Sequence, residues 1–193
     1  MENIVIKRKQ FEVLEQLSET TYKLSFKGKV YFGKKFDDVK VALKNYVKEV
    51  KFLASCGLNV PKLMIIDKKS GFVLSQFIEG ETVLDTLMKT ELSEAHYRGI
   101  FALAYRCKLE KVSINFLPEN FVLMNDKLYY LSTDYNKYSE QDNFVNKYVR
   151  LWFYTTELCE HLKAKELPVD KTRLKVEYAI NKEIVLTTIK YYM

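Results

Sequence analysis

A chain of 193 residues with 48% apolar side chains can bury the core of one domain or two small lobes, which excludes an intrinsically disordered chain. Its +6 charge comes from 31 Lys and Arg against 25 Asp and Glu, and lysine dominates. Lysine is a solvated point charge rather than the planar fork used for phosphate or base recognition, so nucleic acid is not the expected partner. Cys56, Cys107 and Cys159 are widely spaced without a CxxC pair and are expected as reduced core residues, not as a disulfide framework or zinc site. No apolar run reaches the roughly 18 to 20 residues of a transmembrane segment, and the N-terminus lacks a signal-peptide core, so a cytoplasmic location is expected.

Residues 10–36 alternate apolar and polar through Tyr22, Leu24 and Phe26, then Val30 and Phe32, with "KGK" between them, which predicts an antiparallel sheet of about three strands. From Asp38 to Ser55 the period changes to three and four through Leu43, Tyr46, Val47, Val50 and Leu53, predicting one helix that stops at Gly57. "VPKLMIIDKKSGFVLSQFIEG" then reads as a hairpin, for about five strands in all. Beyond Gly80 the pattern is mostly helical: "TVLDTLMKT", Glu91 to Leu109, one strong helix through Phe144, Tyr148, Leu151, Trp152, Thr155, Leu158 and Leu162, and another from Arg173 to Tyr192. Between these helices "ENFVLMNDKLYYLST" is two strand-like runs around Asn125-Asp126. The expected organisation is α+β: a β-rich lobe over residues 1–78, a hinge at about Phe77 to Gly80, and a helical lobe over 79–193 with an inserted hairpin.

Four stretches carry a further signal. They are "KVYFGKKF", "YVKEVKFLASCGLNVPKL", "GFVLSQFIEGETV" and "SINFLPENFVLMNDKLYYLSTDY". In these motifs and in its order of elements the chain resembles the small, atypical branch of the protein-kinase-like superfamily: aminoglycoside-phosphotransferase-like proteins, Bud and RIO type kinases, and especially lipopolysaccharide core heptose kinases. The resemblance implies a two-lobed kinase-like fold that uses ATP and Mg2+. It implies that Lys34, with Lys35 as the fallback, meets the α- and β-phosphates and that Glu49 fixes that lysine. Read without the family, Lys34 and Glu49 are also two of many surface charges. Backbone groups of Gln76, Phe77 and Ile78 would meet the adenine.

In the fourth stretch the family pattern Asp-x-x-Pro-x-Asn has become "NFLPENF". Asn120 keeps the metal-ligand position, but Asn115 stands where the catalytic aspartate belongs, and an amide cannot take a proton at neutral pH. Pro118 and Asn120 also suit a loop that uses them for turn geometry alone. The second metal ligand falls on Ser132 in an ungapped match and on Asp134 with a short insertion in the turn. Asp134 is favoured, and strand parity tolerates the two-residue shift. A third departure is the turn "EQLSETTYKLSF", which has no glycine to cover phosphates, although Ser18, Thr20 and Thr21 offer small donors.

Other chemistries find less support. No GxSxG, GxGxxG or GxxxxGK[ST] occurs, and His96 and His161 lie outside any HExxH or Cys-paired spacing. The stretch around Trp152 and Phe153 reads as a packed helix rather than a membrane-surface one. Two functions are therefore expected: an ATP-dependent phosphotransferase acting on a hydroxyl, with a sugar or lipopolysaccharide core as the acceptor class, or a pseudokinase that binds a protein partner or nucleotide without catalysis.

Overall fold

The short run "NIVI" forms a strand ahead of those the alternation predicts, because Lys7 and Arg8 both take left-handed backbone conformations, with φ of 48° and 64°, and turn the chain in two residues. Without the Asn-Gly or Asp-Gly signature of such a turn, this hairpin is hidden in the sequence. The computed structural model, which describes residues 3–192, then continues through β1 (Asn3–Ile6), β2 (Lys9–Gln16), β3 (Thr21–Phe26) and β4 (Lys29–Lys35). Lys27 and Gly28 supply the expected turn at φ 50° and 73°. Helix α1 (Ala42–Ser55) starts after Asp38, the expected beginning of the helical stretch, because the Asp38 carboxylate accepts the Val41 N–H at 2.9 Å and forms a turn ahead of it. Gly57, at φ 77°, follows the helix as its stop.

Strands β5 (Leu63–Asp67) and β6 (Phe72–Gln76) complete a six-stranded antiparallel sheet in the order β1-β2-β3-β4-β6-β5, one strand more than expected. One face buries Ile6, Phe11, Leu24, Phe72 and Leu74. Gly33 of β4 permits this packing, since a Cβ there would lie 2.7 Å from a methyl of Leu24. With residues 60–78 and the chain up to Ser55, this sheet forms one of two compact units; residues 56–59 and 79–193 form the other.

Edge strands β1 and β5 approach each other because the sheet is curled. Asp67, only 7% exposed, accepts hydrogen bonds from the Lys7 N–H at 2.8 Å, the Ser70 hydroxyl at 2.9 Å and the Lys69 N–H at 3.0 Å. The Lys7 N–H, more than any other group, holds its carboxyl below the ordinary aspartate range, against the opposing effect of burial.

In the second unit, α2 (Val83–Lys89) begins with a capping box in which Thr82 and Asp85 satisfy each other's backbone donors. His96 does similar work at the start of α3 (Glu94–Leu109), where its Nδ1 lies 2.8 Å from the Ser93 hydroxyl. Next come β7 (Val112–Ile114), a 3-10 turn at Pro118–Asn120, the hairpin β8 (Phe121–Met124) and β9 (Lys127–Tyr130), and β10 (Tyr135–Lys137), which pairs antiparallel with β7. The hairpin turns on Asn125 and Asp126 at φ 51° and 58°, as the sequence suggests.

The single strong helix expected from Phe144 to Leu162 does not form. A π-helical turn (Phe144–Tyr148) and a 3-10 turn (Val149–Trp152) give way to extended backbone at Phe153, and α4 (Thr156–Ala164) starts afresh. Thr155 makes the break: its hydroxyl donates to the Arg150 carbonyl at 2.8 Å and accepts the Leu158 N–H at 3.2 Å. The buried Trp152 indole is held by donating to the Phe116 carbonyl at 2.8 Å. Apolar spacing continues through the break because both sides fill one core. Helix α5 (Glu177–Tyr192) ends the described chain, and all three cysteines are free and buried, as expected. Among the described residues no helix is long and apolar enough to cross a membrane.

Replacing Asp67 by Asn should leave donors of both turns poorly matched and lower unfolding stability at neutral pH by about 1–3 kcal/mol. Because the folded-state carboxyl titrates below its unfolded value of roughly 3.9, its contribution is present above that pH and lost as pH falls through the folded value. Urea unfolding should therefore show the gap between wild type and Asp67→Asn closing as pH is taken below about 4.

Candidate functional site

In the sheet unit, Lys34 sits on β4 between Thr21 of β3 and Val73 of β6. Its ammonium lies 5.1 Å from the Tyr46 ring centre and 5.5 Å from that of Phe36. These contacts hold a cation by the negative faces of the rings. No ion pair joins Lys34 to Glu49 among the described residues. Both are nonetheless close to Tyr46, whose phenol is pushed up by burial first and by the charge of Glu49 second. Lys35, the fallback, is exposed.

The Gln76 N–H donates to the Lys62 carbonyl at 2.8 Å, so it is engaged within the sheet. Phe77 and Ile78 follow β6 directly, just beyond the pairing of Gln76 with Tyr31 of β4. The Phe77 ring carries the Lys23 ammonium at 4.7 Å, and Ile78 is buried.

The turn between β2 and β3 closes on itself. Ser18 and Thr21 join their hydroxyls at 2.7 Å, the Thr20 N–H reaches the Ser18 hydroxyl at 3.3 Å, and the Leu17 and Ser18 N–H groups both meet the Thr21 carbonyl. The Ser18 and Thr21 hydroxyls and the Thr20 N–H are thus engaged inside the turn.

In the second unit, Asn115, Asn120 and Asp134 belong to one hydrogen-bonded network. Asn115 follows β7 directly, and Asp134 directly precedes β10; they are the next positions beyond the last paired residues, Ile114 and Tyr135. The Asn120 side-chain amide donates to the Asn115 carbonyl at 3.2 Å, while the Asn115 side-chain oxygen accepts the Leu117 N–H at 3.2 Å. Tyr130, on β9, joins the two ends: its hydroxyl accepts the Asn115 N–H at 3.3 Å and donates to the Asp134 carbonyl at 2.8 Å. Burial pushes the Tyr130 phenol up to about 12, so it stays protonated and keeps donating. Ser132 lies within the bend, where its hydroxyl accepts the Asp134 N–H at 3.2 Å.

This arrangement sets what each group can do. Asn115 has its oxygen turned inward onto the Leu117 N–H, which leaves its NH2 as a free donor. Asn120 has its NH2 fixed on Asn115 and its oxygen as the remaining ligand atom. Asp134 is exposed, and its carboxylate makes no hydrogen bond or ion pair among the described residues. One amide oxygen and one carboxylate are hard oxygen donors of the kind Mg2+ accepts alongside water. Among the described residues no group of three or more His, Cys, Asp or Glu side chains is placed to hold a metal.

Spacing in sequence missed two participants. Tyr130 reads there only as a strand residue. His161, set aside as ordinary, reaches both carboxylate oxygens of Glu119 at 3.1 Å, and Lys165 adds a 3.0 Å ion pair. Burial pushes the Glu119 carboxyl up, but its own backbone bond and these partners outweigh that and leave it below the ordinary range. The cluster fixes α4 to the turn that carries Asn120. No local motif reveals a partner 42 residues away.

The chain matches no family model, and no curated protein shows significant sequence similarity to it.

Tyr130→Phe keeps the ring that packs on Phe121 at 5.2 Å and removes only the hydroxyl. It should cost about 1–3 kcal/mol in urea unfolding, because the Asn115 N–H loses its partner. Hydrogen exchange at the Asn115 amide should accelerate more than at the α3 core.

Proposed function

We propose that the protein is a divergent member of the kinase-like superfamily that binds a magnesium nucleotide and transfers phosphate slowly to a hydroxyl. The observation that carries this reading is the single network holding Asn115, Asn120 and Asp134 around the Tyr130 phenol. The order of elements supports it: an antiparallel sheet with one helix, the segment at residues 77–80, helices, a loop, a hairpin and more helices. It matches the order that the sequence resemblance implies.

On this reading Lys34 serves the nucleotide phosphates and the backbone of Phe77 and Ile78 its adenine, while Glu49 acts on Lys34 through Tyr46 rather than by a direct pair. Asn120 and Asp134 hold the ion, which when bound neutralises charge on the phosphates. Asn115 orients the acceptor hydroxyl by donating to it and takes no proton. Absence of a general base lowers the rate by about 100- to 10,000-fold where such catalysis operates, without abolishing transfer, because phosphoryl transfer depends chiefly on positioning and electrostatics. A sugar or the lipopolysaccharide core is the acceptor class suggested by the resemblance.

A pseudokinase is the second reading. The self-closed turn at Ser18–Thr21 and the inward-turned oxygen of Asn115 favour it, since both remove contacts that a fast enzyme needs.

Thermal unfolding with millimolar ATP, with and without Mg2+, separates the two. The enzyme reading expects a stabilisation that grows with Mg2+, loses that increment in Asp134→Asn and Asn120→Ala, and is accompanied by a large gain of ATP turnover in Asn115→Asp. Stabilisation that is blind to Mg2+, or none at all, supports the pseudokinase.

A further inference from the structure

The positive charge of the protein is confined to one of its two compact units. The sheet unit holds fifteen Lys and Arg against eight Asp and Glu, a net of +7, whereas the other holds sixteen against seventeen, a net of −1. Every ion pair formed by the described residues lies in the second unit. The sheet unit therefore carries its excess of cations without internal carboxylate partners. Such a surface attracts a polyanion over several ångströms.

Four of these fifteen cations gather at one place. An open basin of about 730 Å3 lies where edge strands β1 and β5 meet, and it is lined by Lys7, Arg8, Lys68 and Lys69 with Val5 and Ile66. All four cations are exposed, and Val5 is 62% exposed, a large apolar side chain left in water between them. Among the described residues the acidic group at the basin is Asp67, which is buried and bound to the Lys7 N–H, the Lys69 N–H and the Ser70 hydroxyl. It thereby ties the two turns into one rigid frame, and its three hydrogen bonds turn it toward the backbone rather than the side-chain ammonium groups.

We propose that this basin docks an acidic segment of another polypeptide, one with Asp or Glu on either side of an apolar residue. Carboxylates of the partner meet the four cations, and the apolar side chain covers Val5 and Ile66. A nucleic-acid strand fits less well. Its charges run in a long track, whereas these cations line one hollow, and among the described residues no aromatic side chain lines the basin to stack a base. Lysines can also stand on sheet edges merely to prevent edge-to-edge pairing, in which case no peptide binds.

The test is fluorescence anisotropy of the whole protein with a labelled peptide whose glutamates flank a central leucine. An oligonucleotide and an anionic vesicle of matched charge serve as competitors. The quadruple variant Lys7→Glu, Arg8→Glu, Lys68→Glu, Lys69→Glu should bind the peptide about tenfold or more weakly. Reversing the exposed Lys40, Lys44, Lys48 and Lys51 alters net charge equally and should change affinity by no more than about twofold. Lys68→Glu with Lys69→Glu leaves the left-handed turn residues intact, and should show a loss of about threefold even if the quadruple variant does not fold. No peptide binding, equal losses in the two quadruple variants, or tighter binding of the oligonucleotide or vesicle would overturn the proposal.

Discussion

A phenol hydroxyl buried at Tyr130 has to find its hydrogen bonds inside the protein, and the way it does so organises the candidate site. Its ring is fully buried, packed against Phe121, and its oxygen meets a backbone donor at Asn115 and a backbone acceptor at Asp134. Leaving either group unmatched in the interior costs energy comparable to a lost hydrogen bond. The loop after β7 and the bend before β10 are consequently held in one register, which the β7–β10 pairing extends. Asn120 joins through the Asn115 carbonyl, and Glu119, with His161 and Lys165, fastens the same turn to α4.

Asp67 plays the corresponding part in the sheet unit. A single buried carboxylate joins residues 60 positions apart and holds together two edges that the ladder itself leaves unpaired. The same bonds keep the surrounding lysines available to solvent or to a partner. Structural and electrostatic consequences thus come from one side chain, a strong acceptor for backbone N–H groups in a chain otherwise rich in cations.

Where local chemistry was sufficient, the elements were legible. Alternation marked β2, β3 and β4, the period of three and four marked α1 and α3, and Asn125-Asp126 marked the turn between β8 and β9, because each depends on a few neighbouring residues. Two elements were not legible for definite reasons. Strand β1 hides behind a Lys-Arg turn that adopts left-handed geometry without the residues that usually favour it. The helix expected across Trp152 is broken because Thr155 caps a new helix while the apolar period runs on. Candidate residues in the loop were identified by motif, whereas their partners Tyr130 and His161 were not, since partnership is decided by folding rather than by spacing.

By itself the sequence determined the α+β class, the candidate loop from Asn115 to Asp134, the amide in place of a carboxylate at 115, and the lysine excess. These follow from residue identity and short-range periodicity. Only the tertiary structure decided that Tyr130 joins Asn115 to Asp134, that Lys34 lies on aromatic rings instead of against Glu49, and that unpaired cations gather around the Asp67 frame. Each of these depends on groups far apart in the chain, which burial and hydrogen-bond satisfaction bring together.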